Sequence, residues 1–368
     1  MSTLKKTFIA FTLLFATQQM IQAQTTAPAF NPTIKVKALV HSRFEASLTD
    51  SIDVQGKYND DPVSSNFRMR RIELRTDIKL NDQISGVIRV QLPELKGSSV
   101  GKVIELAYMD YKFNDMFTVR AGQFKSPFEL DEQTSHEDLR MIDRGPTSVM
   151  FVNNNLASYQ PGVMILGTFM KEKMPLTYNL AIVNGSNRAV NYDDNAQKNI
   201  VGRLEFTPIK GIRIAGNAQK FYTNDTTGLC YGGDISIQRP INEKMRFIVE
   251  GEYISGYGTN DFTADTTGLE LGDFTMGGYF GQALLRTEIN KPWCKTFEVG
   301  GKFEHTDPNT TVDDNAFNTI TGGVGFIFTP DNMARLQLNI VHTDYEKVIT
   351  DGGLTAANMF VAQFQLKF

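Results

Sequence analysis

A chain of 368 residues with a formal net charge of −4 is long enough for a sizeable fold and carries no basic excess for nucleic acid. Two cysteines, Cys230 and Cys294, and four scattered histidines, His41, His136, His305 and His342, give neither a disulfide framework nor metal-ligand spacing. At 41% hydrophobic residues the composition suits a soluble protein or a transmembrane β-barrel, since a barrel turns only alternate residues to lipid.

The first 23 residues read as a removable signal peptide: Lys5 and Lys6, an apolar stretch at 7–16, then Ile21-Gln22-Ala23-Gln24 with a small residue at the cut. That stretch is shorter than the roughly 20 residues a spanning helix needs. Cleavage after Ala23 leaves a short segment, 24–33, ahead of a folded part at 34–368, and removing Lys5 and Lys6 takes the net charge to −6.

From residue 34 the chain falls into short alternating runs. Ile34, Val36, Ala38, Val40 and Phe44 share one face, and Lys35, Lys37, His41 and Arg43 the other. At 71–80 the ionic residues Arg71, Glu73, Arg75, Asp77 and Lys79 alternate with Ile72, Leu74, Thr76, Ile78 and Leu80. Side chains of a strand point to opposite faces with period two, whereas a helix would scatter these charges around its circumference. Similar runs follow at 84–92, 103–113, 117–124, 162–169, 177–183, 200–206, 212–219, 231–237, 245–253, 274–288, 297–305, 320–328, 336–345 and 359–368. The count is about sixteen, an even number as bacterial barrels have. The fold class is therefore all-β, a transmembrane antiparallel β-barrel.

The connections alternate in length. Tight turns are expected at Asn81-Asp82, Asn114-Asp115, Pro208-Ile209-Lys210-Gly211, Pro240-Ile241-Asn242-Glu243 and Pro330-Asp331-Asn332. Longer loops are expected at 49–66, 125–161, 184–199, 223–229, 256–273, 307–318 and 346–358. Short turns at one rim and long loops at the other suit an outer-membrane barrel. In the last run Phe360, Ala362, Phe364, Leu366 and Phe368 share a face, and a closed barrel needs this strand paired to the first, because open edges are not tolerated in lipid. Phe113, Phe117, Phe206, Phe221, Phe328 and Tyr345 lie near strand ends, where aromatic girdles form.

Several segments carry a family resemblance: Arg70-Arg71-Ile72-Glu73-Leu74, Ala107-Tyr108-Met109-Asp110-Tyr111, Val119-Arg120-Ala121-Gly122-Gln123-Phe124-Lys125-Ser126-Pro127-Phe128, and Gly202-Arg203-Leu204-Glu205-Phe206-Thr207-Pro208. With Asn184-Gly185, Gly277-Gly278-Tyr279-Phe280 and Phe303-Glu304-His305, they make the chain resemble the phosphate-selective porin O and P family. The resemblance implies a sixteen-stranded, commonly trimeric barrel in the outer membrane of a Gram-negative bacterium. It also implies a third long loop folded into the lumen as a constriction, surrounding lipid, small hydrophilic or anionic solutes as cargo, and no cofactor.

That loop corresponds to residues 125–161. Its cations, Lys125, Arg140 and Arg144, stand beside His136 and are outnumbered by Glu129, Asp131, Glu132, Glu137, Asp138 and Asp143. Passage of an anion requires cationic groups along the path, and guanidinium forks suit phosphate. The candidates are Arg71, Arg75, Arg89 and Arg203 on the wall, Arg120 and Lys125 beside the loop, and Arg140 and Arg144 on it, with the arginine-rich face at 68–75 foremost. The plainer reading pairs these arginines with Glu73, Asp77, Glu105, Glu205, Glu250 and Glu252 as an ordinary wet wall. A non-selective porin, or a plugged structural or adhesive barrel, are the alternatives. No Gly-x-Ser-x-Gly elbow, P-loop or His-Glu-x-x-His occurs, and Ser148 with His136 has no motif behind it, so an enzyme is not indicated.

Overall fold

In the computed structural model the described residues are 32–95, 100–186, 193, 195–347 and 355–368; the signal peptide expected at 1–23 lies outside them. They form sixteen strands: β1 (Thr33–Ser47), β2 (Ser65–Lys79), β3 (Ile84–Gln91), β4 (Ile104–Asn114), β5 (Phe117–Lys125), β6 (Tyr159–Phe169), β7 (Leu176–Val183) and β8 (Asn199–Ile209). The second half holds β9 (Ile212–Thr223), β10 (Thr226–Pro240), β11 (Met245–Tyr257), β12 (Thr275–Lys291), β13 (Cys294–Asp307), β14 (Phe317–Ile327), β15 (Ala334–Tyr345) and β16 (Ala356–Lys367). Each pairs antiparallel with its sequence neighbours, and β16 pairs with β1 from Leu39 opposite Lys367 to Ser47 opposite Met359. The cylinder closes, so every strand edge is satisfied by another strand, as hydrocarbon demands.

The two faces sort by chemistry as the alternation requires. Outward positions carry exposed apolar side chains such as Ile88, Met109, Leu180, Leu204, Ile214, Ile320 and Ile340. Inward positions carry buried polar ones, among them His41, Arg43, Glu250, Gln282, Arg335 and Gln363. This inverts the distribution of a soluble protein.

The expected loop at 223–229 is instead a two-residue hairpin. Thr223 pairs with Thr226, and Asn224 and Asp225 both have positive φ, 42° and 60°. Asn and Asp tolerate that region, which a primed turn needs at both central positions. Phe221, expected in a girdle, points inward and is 1% exposed. It joins an apolar cluster with Phe124, Phe128, Phe151, Leu156, Val183, Val201 and Ile254, which lines part of the upper lumen. The long connection after β5 spans 126–158 and is shorter than expected, because β6 begins at Tyr159. It contains two helices, α1 (Leu130–Gln133) and α2 (Pro146–Asn153), and a third, α3 (Thr259–Ala264), lies in the loop after β11.

Candidate functional site

The connection 126–158 leaves β5 and reaches inward-facing residues on the far wall. From β5 to β13 is eight strands of sixteen, half the circumference. On β11, Glu252 accepts from the backbone N–H groups of Leu130 and Asp131, and Glu250 pairs with Arg140 at 3.3 Å. On β13, Lys302 binds Asp131 at 3.1 Å, while Glu304 accepts from the Thr147 N–H at 2.8 Å. On β15, Arg335 and Gln337 donate to the carbonyls of Leu139 and Arg140 at 3.1 and 3.2 Å. Lower down, Asn332, in the short turn after β14, donates to the Glu137 carbonyl at 3.2 Å. The loop therefore runs down toward the short-turn rim and climbs back to β6. A loop this long carries many backbone polar groups, and inside a barrel they need such partners.

On the β1–β2 wall the ladder slips. His41 stands opposite Arg71 and Ser42 opposite Met69, so Arg70 is the extra residue of a β-bulge. A strict period of two would send Arg70 to lipid. The bulge instead brings it into the same electrostatic group as Arg43, Arg68, Glu45 and Asp143. Arg43 grips Asp143 with two parallel bonds, Nη1 to Oδ2 at 2.7 Å and Nη2 to Oδ1 at 2.9 Å. Arg43 and Arg68 share the Glu45 carboxylate at 3.0 and 2.6 Å. Arg71 has only Glu73, at 3.9 Å, and Arg70 has no ion-pair partner among the described residues. Four guanidiniums thus face chiefly two carboxylates. The side chains of Arg68 and Asp143 are each 45% exposed, so this group meets the open lumen. Enclosure in the barrel pushes the Asp143 carboxyl up, but Arg43, Arg70 and Arg71 outweigh it and hold the group well below the usual carboxylate range.

Of the sequence-stated candidates, Arg71, Arg89, Lys125 and Arg144 converge. Arg89 bonds the Tyr159 hydroxyl and lies 2.8 Å from Glu105 and 3.7 Å from Glu73. Arg144 binds Glu132 at 2.9 Å, with Lys125 at 4.0 Å from the same side chain. His136 Nδ1 contacts Glu73, and burial together with Arg71, Arg144, Lys125 and Arg89 holds its imidazole well below the ordinary range. Glu73, Glu105 and His136 bring ligand atoms within 4.8 Å of one another, but these cations already neutralise the carboxylates that a metal ion would use. The other candidates stand apart. Arg75 pairs with Asp77 at 2.6 Å, Arg120 with Asp110 at 2.7 Å, Arg203 with Asp234 at 2.7 Å, and Arg140 faces Glu250. Arg68 and Arg70 are the functional candidates that strict parity from Arg71 misses, and no local sequence signal marks the bulge.

A family model, phosphate-selective porin O and P, matches residues 44–246, more than half of the chain. No curated protein matches the chain in sequence. Among solved structures, an anion-selective porin from Comamonas acidovorans is similar with a TM-score of 0.59 at 10% identity, covering 92% of this chain and 100% of that one. Salmonella typhi OmpF, solved as a complex with daunomycin, gives a TM-score of 0.62 at 8% identity over 91% of this chain and 97% of that one. Vibrio cholerae OmpT, an outer membrane protein described in its trimer form, gives 0.58 at 9% identity over 92% and 99%. Such identities speak for the fold alone, a sixteen-stranded porin barrel. Together with the family match, that architecture makes the chain a member of the phosphate-selective porin O and P family, a porin of the Gram-negative outer membrane.

Proposed function

We propose that the barrel passes small hydrophilic solutes by diffusion with a preference for anions such as phosphate, and that the loop at 126–158 narrows their path. The observation that supports this most is the β1–β2 wall: Arg43, Arg68, Arg70 and Arg71 face Glu45 and Asp143, and Arg70 has no ion-paired carboxylate among the described residues. Cationic side chains beside a narrow path lower the electrostatic barrier for a partly dehydrated anion, and a free guanidinium fork matches phosphate oxygens. Arg71, Arg89, Lys125 and Arg144 add a second basic group behind the loop. Arg75, Arg120, Arg140 and Arg203, each paired with an acid, contribute less. The protein works as a homotrimer, as the family and the trimeric Vibrio cholerae neighbour suggest, after removal of residues 1–23.

One observation favours a second reading, a barrel closed by its own loop. Inward side chains around the middle of the wall, including His41, Arg71, Glu73, Arg89, Glu298 and Arg335, are all buried. The reversal potential of the wild-type protein in a planar bilayer under a KCl gradient separates the readings. An anion-directed potential is expected. A cation-directed one overturns the preference, and absence of conductance establishes the closed barrel.

A further inference from the structure

At the long-loop rim lies a cavity of about 460 Å³ whose chemistry differs from that of the charged lumen. Sixteen described residues line it, and seven are asparagines, three threonines and one serine; none of these sixteen is Asp, Glu, Lys, Arg or His. It is assembled from the end of the inward loop, the base of the loop after β7, the hairpin between β9 and β10, and helix α3. Its volume falls within the roughly 300–1,000 Å³ of small-molecule sites.

The walls are held in place. Asn154 Oδ1 accepts from the Asn260 N–H at 3.0 Å and its Nδ2 donates to the Met150 carbonyl at 3.0 Å. Asn260 Nδ2 donates to the Asn153 carbonyl at 2.9 Å, and Asn199 Oδ1 accepts from the Tyr222 N–H at 3.1 Å. Each of the last two amides keeps one end for a ligand. The side chains of Asn184 and Asn224 have no hydrogen-bond partner among the described residues. Leu156 and Phe221, each 1% exposed within the apolar cluster, close the cavity behind these amides.

We infer that this cavity is a binding site for a neutral, hydroxyl-rich ligand of mono- or disaccharide size. A carboxamide offers donors and an acceptor side by side, which suits hydroxyls that both give and take hydrogen bonds. A charged ligand entering here loses hydration and meets no opposite charge among the described lining residues in return. The site is independent of the arginine wall, and its ligand need not be what the channel carries.

The test uses the full-length mature protein in detergent, with saturation-transfer NMR titrations of glucose and maltose against gluconate and glucose 6-phosphate. Saturable binding of the neutral sugars, weaker for both anions, is expected. Asn184→Ala and Asn224→Gly each weaken it by about three- to tenfold, the loss of one neutral hydrogen bond. Ala264→Trp, a change at an exposed lining position, abolishes it by filling the cavity while the barrel stays folded in a heat-modifiability gel. Absence of saturable neutral-sugar binding overturns the inference. So does binding that all three variants leave intact, or tighter binding of the anions.

Discussion

Neutralising Arg70 separates a selective wall from an ordinary wet one. Arg70→Gln removes one unit of charge from a side chain with no carboxylate in ion-pair reach among the described residues. Arg68→Gln also removes one unit, from a side chain that is 45% exposed and shares Glu45 with Arg43. A unit charge about 4 Å from a passing ion contributes about 1 kcal/mol at the dielectric of water, of opposite sign for an anion and a cation, roughly fivefold in each permeability and about thirtyfold in their ratio. The exposed Lys57→Gln, in the loop between β1 and β2, serves as the control. Arg70→Gln and Arg68→Gln are each expected to lower the anion-to-cation permeability ratio by up to about thirtyfold, and Lys57→Gln hardly at all. The differences should fade at 1 M salt, where the screening length is about 3 Å. Reversal potentials at several salt concentrations measure all of this. An unchanged ratio in Arg70→Gln, with single-channel conductance intact, refutes the reasoning.

Three further outcomes test how the inward loop is held. Glu252→Ala removes the acceptor for the Leu130 and Asp131 N–H groups, charge-assisted bonds worth roughly 1.5–3 kcal/mol, and should give larger, noisier single-channel currents; a steady wild-type level would count against the tether. Lys302→Met strands the buried carboxylates of Asp131 and Glu304 and should cost about 3–5 kcal/mol in urea unfolding, whereas an unaltered midpoint would show that the pair carries no strain of burial. Burial and the neighbouring Glu252 raise the Glu129 carboxyl above its ordinary range. A raised acid stabilises the docked loop while protonated, so docking is strongest at low pH and weakens as pH rises through that raised value. Protease sensitivity of the loop should therefore increase with pH in the wild type and stay flat in Glu129→Gln; a parallel rise in both would exclude Glu129 as the source.

The barrel was legible because each strand has one oily and one wet side, and a period of two survives small boundary errors. The ionic rhythm from Arg71 to Lys79 placed β2, and the closing aromatic strand placed β16 against β1. What escaped the sequence is what departs from that period. The bulge that brings Arg70 inward is one inserted residue with no composition of its own. The Asn224-Asp225 turn lies among Thr and Gly residues that also suit a longer loop. The apolar inward patch of Phe124, Val183, Val201 and Phe221 runs against the expectation of a uniformly polar lumen. In the loop, the acids outnumber the bases, yet Asp131 and Asp143 are taken by the wall cations Lys302 and Arg43, and Glu132 by Arg144 and Lys125. No local pattern reveals those wall cations, because they lie more than a hundred residues away or on the opposite wall.

The central claim is that solutes travel past the β2 bulge, and charged thiol reagents test it most directly. Cys230 and Cys294 are both buried, so an introduced cysteine stands out. Arg70→Cys channels in a bilayer should react with water-soluble methanethiosulfonates. The sulfonate adduct should shift the reversal potential toward cations, and the ammonium adduct should restore the anion preference. A thiol that neither reagent reaches, or adducts of opposite sign that leave the potential and current unchanged, would contradict the account.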